Sequence, residues 1–375
     1  MTVRRVWLLL GAIAMPAQAD IAVSASDGKQ VLADGRQVVP SPLGGDNVSV
    51  IDFGNGKLRV VATIAAPASL IGPPRSVAIT PDGAYAIVTC ARKVRADGTD
   101  IEPDDRVSVI DLRSMTLVSS IRAGAGASGV AIDPAGRRVL IANRAAGTLS
   151  LLAFEKGRLS PVATIAVGPA TSSPAQPLFY DNGRKALVTR DGDHRISIVT
   201  VTESGLSLDE TSLAGGLRPY AIDAAGPRYA VVGNIGGGGR NVDTISLIDL
   251  AGETSAVVDT VAVGLTPEGV KMSPDGRFVA VIVHNGSNLP RGARLWSDHG
   301  LLQIWRIAGD RLVKVTEARM GGWGQGAVWS KDGRQILAQA ALDHRIQSFD
   351  FDGARLRRGP ELTLSAAPAA IAGRP

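Results

Sequence analysis

The sequence has very little cysteine, few aromatic residues and little excess charge. Cys90 is the only cysteine among 375 residues, so the chain forms no internal disulfide and no cluster of thiolate metal ligands. Aromatic residues make up 4%, and 40 Lys and Arg stand against 35 Asp and Glu, for a net charge of +5. The densest basic segment, residues 355–358, lacks the interleaved aromatic residues of a nucleic-acid-binding surface. We therefore expect no nucleic acid partner.

Long apolar runs are missing as well. No segment reaches the ~18–20 uninterrupted apolar residues that a membrane-spanning helix needs. The shorter apolar stretch of residues 6–15 follows two arginines and precedes Ala-Gln-Ala at residues 17–19, which is the pattern of a secretory signal peptide. We predict a signal peptide at residues 1–19 and a mature periplasmic protein of residues 20–375 without a membrane span.

Glycine and proline, by contrast, are abundant, at 44 and 21 residues, and two short motifs recur along the chain. The first motif alternates apolar and polar side chains, as in Val107-Ser108-Val109-Ile110-Asp111, and this period of two indicates a β-strand. Its copies begin at Val48, Val107, Leu149, Ile196, Ile245, Leu302 and Ile346.

The second motif is a tight turn of the type Thr80-Pro81-Asp82-Gly83. Proline presets one dihedral angle of such a turn, and glycine accepts the positive φ that the turn requires. The motif begins, with variations, at Thr80, Asp133, Tyr180, Asp223, Ser273 and Ser330. Each unit of about 50 residues then holds four antiparallel strands, which is typical of the blade of a β-propeller.

The two ends of the mature chain complement each other. Residues 21–24 resemble a second strand without a first strand before it, and residues 368–372 resemble a first strand with nothing after it. Together they make one blade. We predict an all-β fold, a seven-bladed β-propeller of four-stranded antiparallel blades, closed by a C-terminal strand that completes the first blade.

A family resemblance follows from these motifs. The pattern Pro-x-x-Val-Ala-Ile-x-Pro-Asp-Gly at residues 74–83, followed by Val-Ser-Val-Ile-Asp, resembles the YVTN-type repeat of exported bacterial propellers of the YncE kind and of lactonase-like propellers. The resemblance covers nearly the whole mature chain. It implies the propeller fold strongly and an activity only weakly, since propellers carry many functions on one frame.

Four long loops point to the functional face. All of them connect a second strand to a third strand, so all of them lie on one face of the propeller. Loops inserted on a single face of a repeat protein typically mark its binding side. The loops span residues 26–45, 92–105, 236–241 and 285–300.

Polar residues at strand ends on this face are the candidate site residues. Glu268 and His284 both fall in blade six, and such a pair suits general acid–base catalysis. Arginines near them suit an anionic substrate or a developing oxyanion. The candidate ligand-binding residues are Arg75, Asn143, Arg190, Arg218, Asn234, Asn285, Trp323 and Gln325. Structural roles remain open for all of these residues, because propeller mouths are polar in any case.

Two functions from different classes remain open. The leading one is a binding module. It is a monomeric propeller that binds either a small ligand, which can be anionic, or a periplasmic partner protein on its loop-decorated face. The alternative is a lactonase-like hydrolase that uses Glu268 and His284 with arginine support. The absence of a known nucleophile motif favours binding. We predict no cofactor and no metal, and a third function, as an electron-transfer subunit, would need cofactor ligands that the sequence does not reveal.

Overall fold

A computed structural model describes residues 20–54, 57–238, 241–252 and 254–374. The predicted signal peptide, residues 1–19, lies outside the described residues. The described residues form seven four-stranded antiparallel sheets and two short hairpins. The seven-bladed, all-β propeller predicted from the sequence is thereby confirmed.

The four strands of each blade follow one another from the channel outward. Blade one comprises Ala367–Gly373, Asp20–Asp27, Asn47–Gly54 and Lys57–Ala65. Blade two comprises Val77–Ile79, Tyr85–Thr89, Arg106–Asp111 and Thr116–Arg122. Blade three comprises Ala127–Ile132, Arg138–Asn143, Thr148–Glu155 and Arg158–Ala166. Blade four comprises Pro174–Tyr180, Lys185–Arg190, Arg195–Val201 and Leu206–Leu213.

The remaining blades have the same order. Blade five comprises Pro219–Ala224, Tyr229–Asn234, Asp243–Asp249 and Ala256–Gly264. Blade six comprises Pro267–Met272, Phe278–Val283, Gly300–Ile307 and Leu312–Met320. Blade seven comprises Gly324–Trp329, Gln335–Ala340, Arg345–Phe351 and Leu356–Thr363. Single turns of 3-10 helix lie at Ala170–Ser172 and Asp181–Gly183.

The two ends of the chain close the ring in blade one. Strand Asp20–Asp27 pairs with Ala367–Gly373 on one side and with Asn47–Gly54 on the other. The side chain of Gln339 in blade seven donates a hydrogen bond to the Ser24 hydroxyl at 2.9 Å. The predicted closure by a C-terminal strand is confirmed, and each blade therefore has a neighbour on both faces.

The core lies between the blades. Third strands such as Arg106–Asp111 are buried on both faces, whereas outer strands such as Thr116–Arg122 are largely exposed. Val50 of blade one packs in one apolar cluster with Val77 of blade two. The turns inside the blades carry glycine at positive φ, for example 68° at Gly83, as the turn motif predicts.

The long loops of blades one, two and six have structure of their own. Loop 26–45 contains a hairpin of Val31–Ala33 and Arg36–Val38, and loop 92–105 contains one of Arg92–Val94 and Ile101–Pro103. The amide of Arg291 in loop 285–300 donates a hydrogen bond to Asp34 at 2.8 Å, so the loops of blades one and six meet in front of blade seven. Among the described residues, no helix is long and apolar enough to cross a membrane.

The segment before the inner strand of blade two reaches across the channel. Pro74 lies against blades six and seven, where a Cβ on Gly269 would come within 3.3 Å of its ring and a Cβ on Gly326 within 3.1 Å. The Pro74 carbonyl also accepts a hydrogen bond from the amide of Ile371 in blade one, at 3.4 Å. Glycine is therefore needed on the channel wall opposite this segment.

We expect Gly269→Ala to destabilise the propeller by about 1–3 kcal/mol, since overpacking of a filled interior costs that much. The new methyl group would overlap the carbonyl oxygen of Gln325 in the next blade. Gly45→Ala is the matched control, because a Cβ there has no described atom within 4 Å. Chemical denaturation measures both free energies of unfolding, and equal values for the two variants would contradict the close packing of the channel wall.

Candidate functional site

The register of the inner and second strands decides which side chains share the channel mouth. Pro267 pairs with Val283 in blade six, Ala127 with Asn143 in blade three, Pro174 with Arg190 in blade four and Pro219 with Asn234 in blade five. Glu268 and His284 are therefore each one residue beyond their pair. The corresponding residues in the other three blades are Ser128 and Arg144, Ala175 and Asp191, and Tyr220 and Ile235.

Glu268 and His284 face each other, as the sequence predicts. The distance from His284 Nε2 to Glu268 Oε2 is 3.7 Å, slightly longer than a hydrogen bond. Both side chains are buried, Glu268 being 8% and His284 3% exposed. Burial raises the pKa of Glu268 to about 8 and lowers the pKa of His284 to about 4. At neutral pH the pair thus consists of a protonated carboxyl group and a neutral imidazole.

The imidazole of His284 is free for other partners. Neither ring nitrogen makes a hydrogen bond with any of the described residues, although the backbone of Gly324 lies close enough to favour the protonated ring slightly. Buried polar atoms are almost always hydrogen-bonded in folded proteins. An imidazole with such weak hydrogen bonding at a channel mouth makes His284 a candidate for contact with a ligand.

Two arginines and an aspartate adjoin this pair. Asp191 accepts hydrogen bonds from Arg144 at 2.7 Å and from Arg218 at 2.9 Å. The guanidinium of Arg144 also lies over the ring of Tyr220, 5.5 Å from its centroid, in a cation–π contact. The positive charges of Arg144 and Arg218 favour the ionised carboxylate and so offset part of the increase in the pKa of Glu268 that burial causes. We call Arg144, Asp191, Arg218, Tyr220, Glu268 and His284 the mouth cluster.

Three predicted ligand-binding residues are instead engaged within their own blades. Asn143 accepts a hydrogen bond from the Gly124 amide and donates one to Ser150 at 2.8 Å. Asn234 donates in the same way to Ser246 at 3.0 Å. Arg190 is held by Asp193, Ser197 and the carbonyl oxygen of Val167. These side chains tie the end of a second strand to the third strand, and a role in ligand binding stays a prediction.

Three further predicted residues support the rim of the mouth. Asn285 donates hydrogen bonds to Ser297 and to the carbonyl of His299, which fixes loop 285–300. Trp323 is 5% exposed and packs with Leu70, Ala341, Ala367 and Ala369. Gln325 is buried at the position that Glu268 occupies in blade six, and its Oε1 has no hydrogen-bond partner among the described residues. Gln325 thus remains available to a ligand, whereas Trp323 packs inside the rim.

Arg75 points away from the mouth cluster. Its guanidinium lies 3.4 Å from Asp223, beside Lys271, at the opposite end of the channel. The sequence indicates where its backbone lies but not which way this long side chain turns. Contact between Arg75 and a ligand at the loop-decorated mouth stays a prediction that this geometry does not favour.

Sequence reasoning missed Arg144, Asp191 and Tyr220. The second strands of blades three, four and six are equally long, and they end at the paired residues Asn143, Arg190 and Val283. Successive residues of a strand point to opposite sides. The sequence prediction took the last strand residue in blades three and four, Asn143 and Arg190, whereas His284 in blade six is the residue after the strand. The residues equivalent to His284 are Arg144 and Asp191, and these were missed.

No group of three or more His, Cys, Asp or Glu in the described ranges is arranged to hold a metal ion. The mouth cluster supplies two carboxylates, Asp191 and Glu268. Asp191 is paired with two arginines, and the raised pKa of Glu268 keeps its carboxyl group protonated at neutral pH. Such a donor set carries little negative charge for a cation.

Comparison with known proteins agrees with the fold and adds a family. The family model described as "Lactonase, 7-bladed beta-propeller" matches residues 28–214, about half of the chain. The chain is a lactonase-like seven-bladed β-propeller. No curated protein matches it.

Solved structures extend the likeness of this lactonase-like propeller to the whole fold. A candidate 6-phosphogluconolactonase from Bacteroides fragilis has a TM-score of 0.72 at 14% identity, covering 96% of this chain and 99% of its own. The periplasmic gluconolactonase of Pseudomonas aeruginosa has a TM-score of 0.67 at 15% identity, covering 96% and 99%. The β-propeller domain of Cps50 (Swd1) from Myceliophteria thermophila also matches, with a TM-score of 0.61 at 12% identity over 83% and 90%. At such identities these likenesses show the fold alone.

The raised pKa of Glu268 makes the stability of the lactonase-like propeller depend on pH. The folded state holds a proton on Glu268 that the unfolded chain releases at lower pH, so this contribution to stability is lost as the pH rises towards about 8. The amide of Glu268→Gln resembles the protonated carboxyl group but does not ionise, so the variant should not lose stability as the pH rises. We expect the variant to match the parent protein at pH 4, below the pKa of an unfolded glutamate, and to exceed it by about 2 kcal/mol or more at pH 9, since one pKa unit is worth about 1.4 kcal/mol.

Thermal and chemical denaturation at both pH values measure this difference. His284 is present in both proteins, so its own titration cancels. Glu155→Gln, which removes a carboxylate that is 84% exposed, is the control and should leave the pH dependence unchanged. Parallel stability curves for the parent and Glu268→Gln would show that Glu268 is already ionised at neutral pH.

Proposed function

We propose that this protein is an exported hydrolase of sugar lactones of the gluconolactone kind, with its active site at the mouth cluster. The observation that carries the proposal is that two buried titratable groups face each other, with His284 Nε2 3.7 Å from Glu268 Oε2. Burial raises the pKa of Glu268 and lowers the pKa of His284. Pairs of titratable groups whose environments push their pKa values apart are the mark of an acid and its base. This reverses the order of the two functions inferred from sequence alone.

Lactone hydrolysis needs what the pair offers. Water must lose a proton as it attacks the carbonyl carbon, and the ring oxygen must gain one as the ring C–O bond breaks. In our proposal His284 takes the proton from water and Glu268 gives a proton to the ring oxygen. A proton then returns from His284 to Glu268 across the 3.7 Å between them, so the site is restored and the product is a hydroxy acid.

The arginines serve the charge that develops on the carbonyl oxygen. Arg144 and Arg218 share Asp191, so within the mouth cluster two positive charges meet one negative charge while Glu268 is protonated. Asp243, outside the cluster, interacts only with Arg218 of the two arginines. The remaining positive charge suits an oxyanion or an anionic substituent of the lactone. We therefore expect a phosphorylated aldonolactone to react with a higher kcat/KM than its neutral counterpart.

The comparisons support the proposal without establishing it. The matching family model and two of the structural neighbours carry lactonase names. One of these neighbours is described as periplasmic, which agrees with the signal peptide predicted at residues 1–19. Export with cleavage after Ala19 is part of the same proposal.

Hydrolysis of δ-gluconolactone and 6-phosphogluconolactone is the test. The protein would be purified from the periplasmic extract of expressing cells, where Asp20 as its first residue would also support the predicted cleavage. We expect turnover by the parent protein and a 10²–10⁴-fold lower kcat for both Glu268→Gln and His284→Ala, the usual cost of losing a general acid or base. Acid release at constant pH measures the rates.

His194→Asn is the matched control. His194 lies at a turn with φ 61°, where asparagine is tolerated, and it belongs to blade four outside the mouth cluster. Full activity in this variant together with loss in the other two supports the proposal. Turnover that survives both Glu268→Gln and His284→Ala would refute the assigned site. Binding of the lactones without any turnover would return the assignment to a binding module.

A further inference from the structure

A second cavity opens at the other end of the channel, on the face formed by the Pro-Asp-Gly turns. Its volume is about 630 Å³, within the usual range for small-molecule sites. The ends of the inner strands and the turns that follow them line it. Neither Glu268 nor His284 does, so this cavity is separate from the mouth cluster.

Two cations compete for one carboxylate at the wall of this cavity. Lys271 of blade six lies 3.0 Å from Asp223 of blade five, and Arg75 reaches the same oxygen from blade two at 3.4 Å. The second oxygen of Asp223 already accepts a hydrogen bond from the amide of Met272 at 2.9 Å. Asp223 therefore neutralises one of the two cations, and Arg75 Nε is buried without a partner in the described structure.

More positive charge lines the entrance. Lys331 and Arg374 both border the cavity. Neither forms a salt bridge with an acidic group in the described ranges, and the only hydrogen bond found there for the Arg374 side chain goes to the carbonyl of Gly83 at 2.8 Å. Asp133 also lines the cavity, but Arg138 neutralises it at 2.9 Å. The lining as a whole thus keeps an excess of positive charge.

Apart from Ser273, the rest of the wall is formed by apolar residues and backbone. Phe179, Met272, Val328 and Trp329 line it with buried or half-buried side chains. The indole N–H of Trp329 donates a hydrogen bond to the carbonyl of Lys271 at 3.0 Å. Its only polar group is therefore satisfied, and its ring offers an apolar surface to the cavity. A cationic end next to apolar walls is complementary to an amphipathic anion.

We propose that this cavity is a second binding site, which takes a small amphipathic anion with its acidic head at Arg75 and Lys271 and its apolar body against Phe179, Met272 and Trp329. A carboxylate or a phosphate monoester fits the head position, because both accept hydrogen bonds from guanidinium and ammonium groups. The lowered pKa of Lys271, caused by burial, agrees with a cation that lacks a full anionic partner.

Titration calorimetry with four probes tests the site on the mature protein. Octanoate and octyl phosphate carry both parts of the ligand, octanol lacks the charge, and acetate lacks the apolar body. We expect at least one of the two amphipathic anions to bind ten times more tightly than octanol and acetate, and the tighter of them identifies the head group. Octanol binding as tight as both anions would overturn the proposal.

Variants place the bound probe. Lys271→Met should lower the affinity for the tighter-binding anion tenfold or more. The carboxylate of Asp223 is not left unpaired in this variant, because Arg75 remains its partner. Should Lys271→Met fail to fold, the double variant Lys331→Glu, Arg374→Glu changes only the entrance and should weaken binding severalfold. Unchanged affinity in each variant that folds would overturn the proposal.

Glu268→Gln separates this site from the mouth cluster. Binding of the anionic probe should be unchanged in that variant, whatever happens to lactone hydrolysis. Loss of probe binding in Glu268→Gln would place the probe at the mouth cluster and overturn the second site. The two proposals can therefore fail independently of each other.

Discussion

The structure depends on the pairing of its first and last described strands, Asp20–Asp27 with Ala367–Gly373. A blade with apolar side chains on both faces is stable only between two neighbours, and closure alone gives every blade both of them. The same closure brings the starts of all inner strands to one mouth and their ends to the other. Residues far apart in sequence, such as Arg144 and Glu268, meet for this reason.

Closure also explains why polar groups at the channel have unusual protonation. Glu268 lies on the inner strand of blade six and His284 directly after the second strand, with blades on either side, and burial is the main cause of both pKa shifts. In water the carboxyl group would be ionised near neutral pH and the imidazole would be partly protonated. The fold thus shifts the two pKa values in opposite directions chiefly by withdrawing both groups from water.

The sequence predicts the fold far better than the site. Alternating strands and Pro-Asp-Gly turns recur from blade to blade, so a strand that is hard to recognise in one blade can be located from its equivalents in the others. The split of blade one between both ends of the fold follows from residues 21–24 and 368–372. Glu268 and His284 were predicted as neighbours because both belong to blade six. Arg144 and Asp191 were missed because the sequence does not show at which residue each second strand ends, and an error of one residue reverses the side to which a side chain points. The direction of Arg75 follows only from its partner Asp223.

The pH dependence of kcat/KM for gluconolactone hydrolysis, corrected for the spontaneous reaction, most directly tests the acid–base pair, since it reports the groups of the free enzyme. Activity requires a neutral His284 and a protonated Glu268, so we expect a bell-shaped profile that falls below pH about 4 and above pH about 8. The alkaline fall should be absent from any residual activity of Glu268→Gln. A rate that continues to rise through pH 8 in the parent protein would contradict the role of Glu268 as the acid.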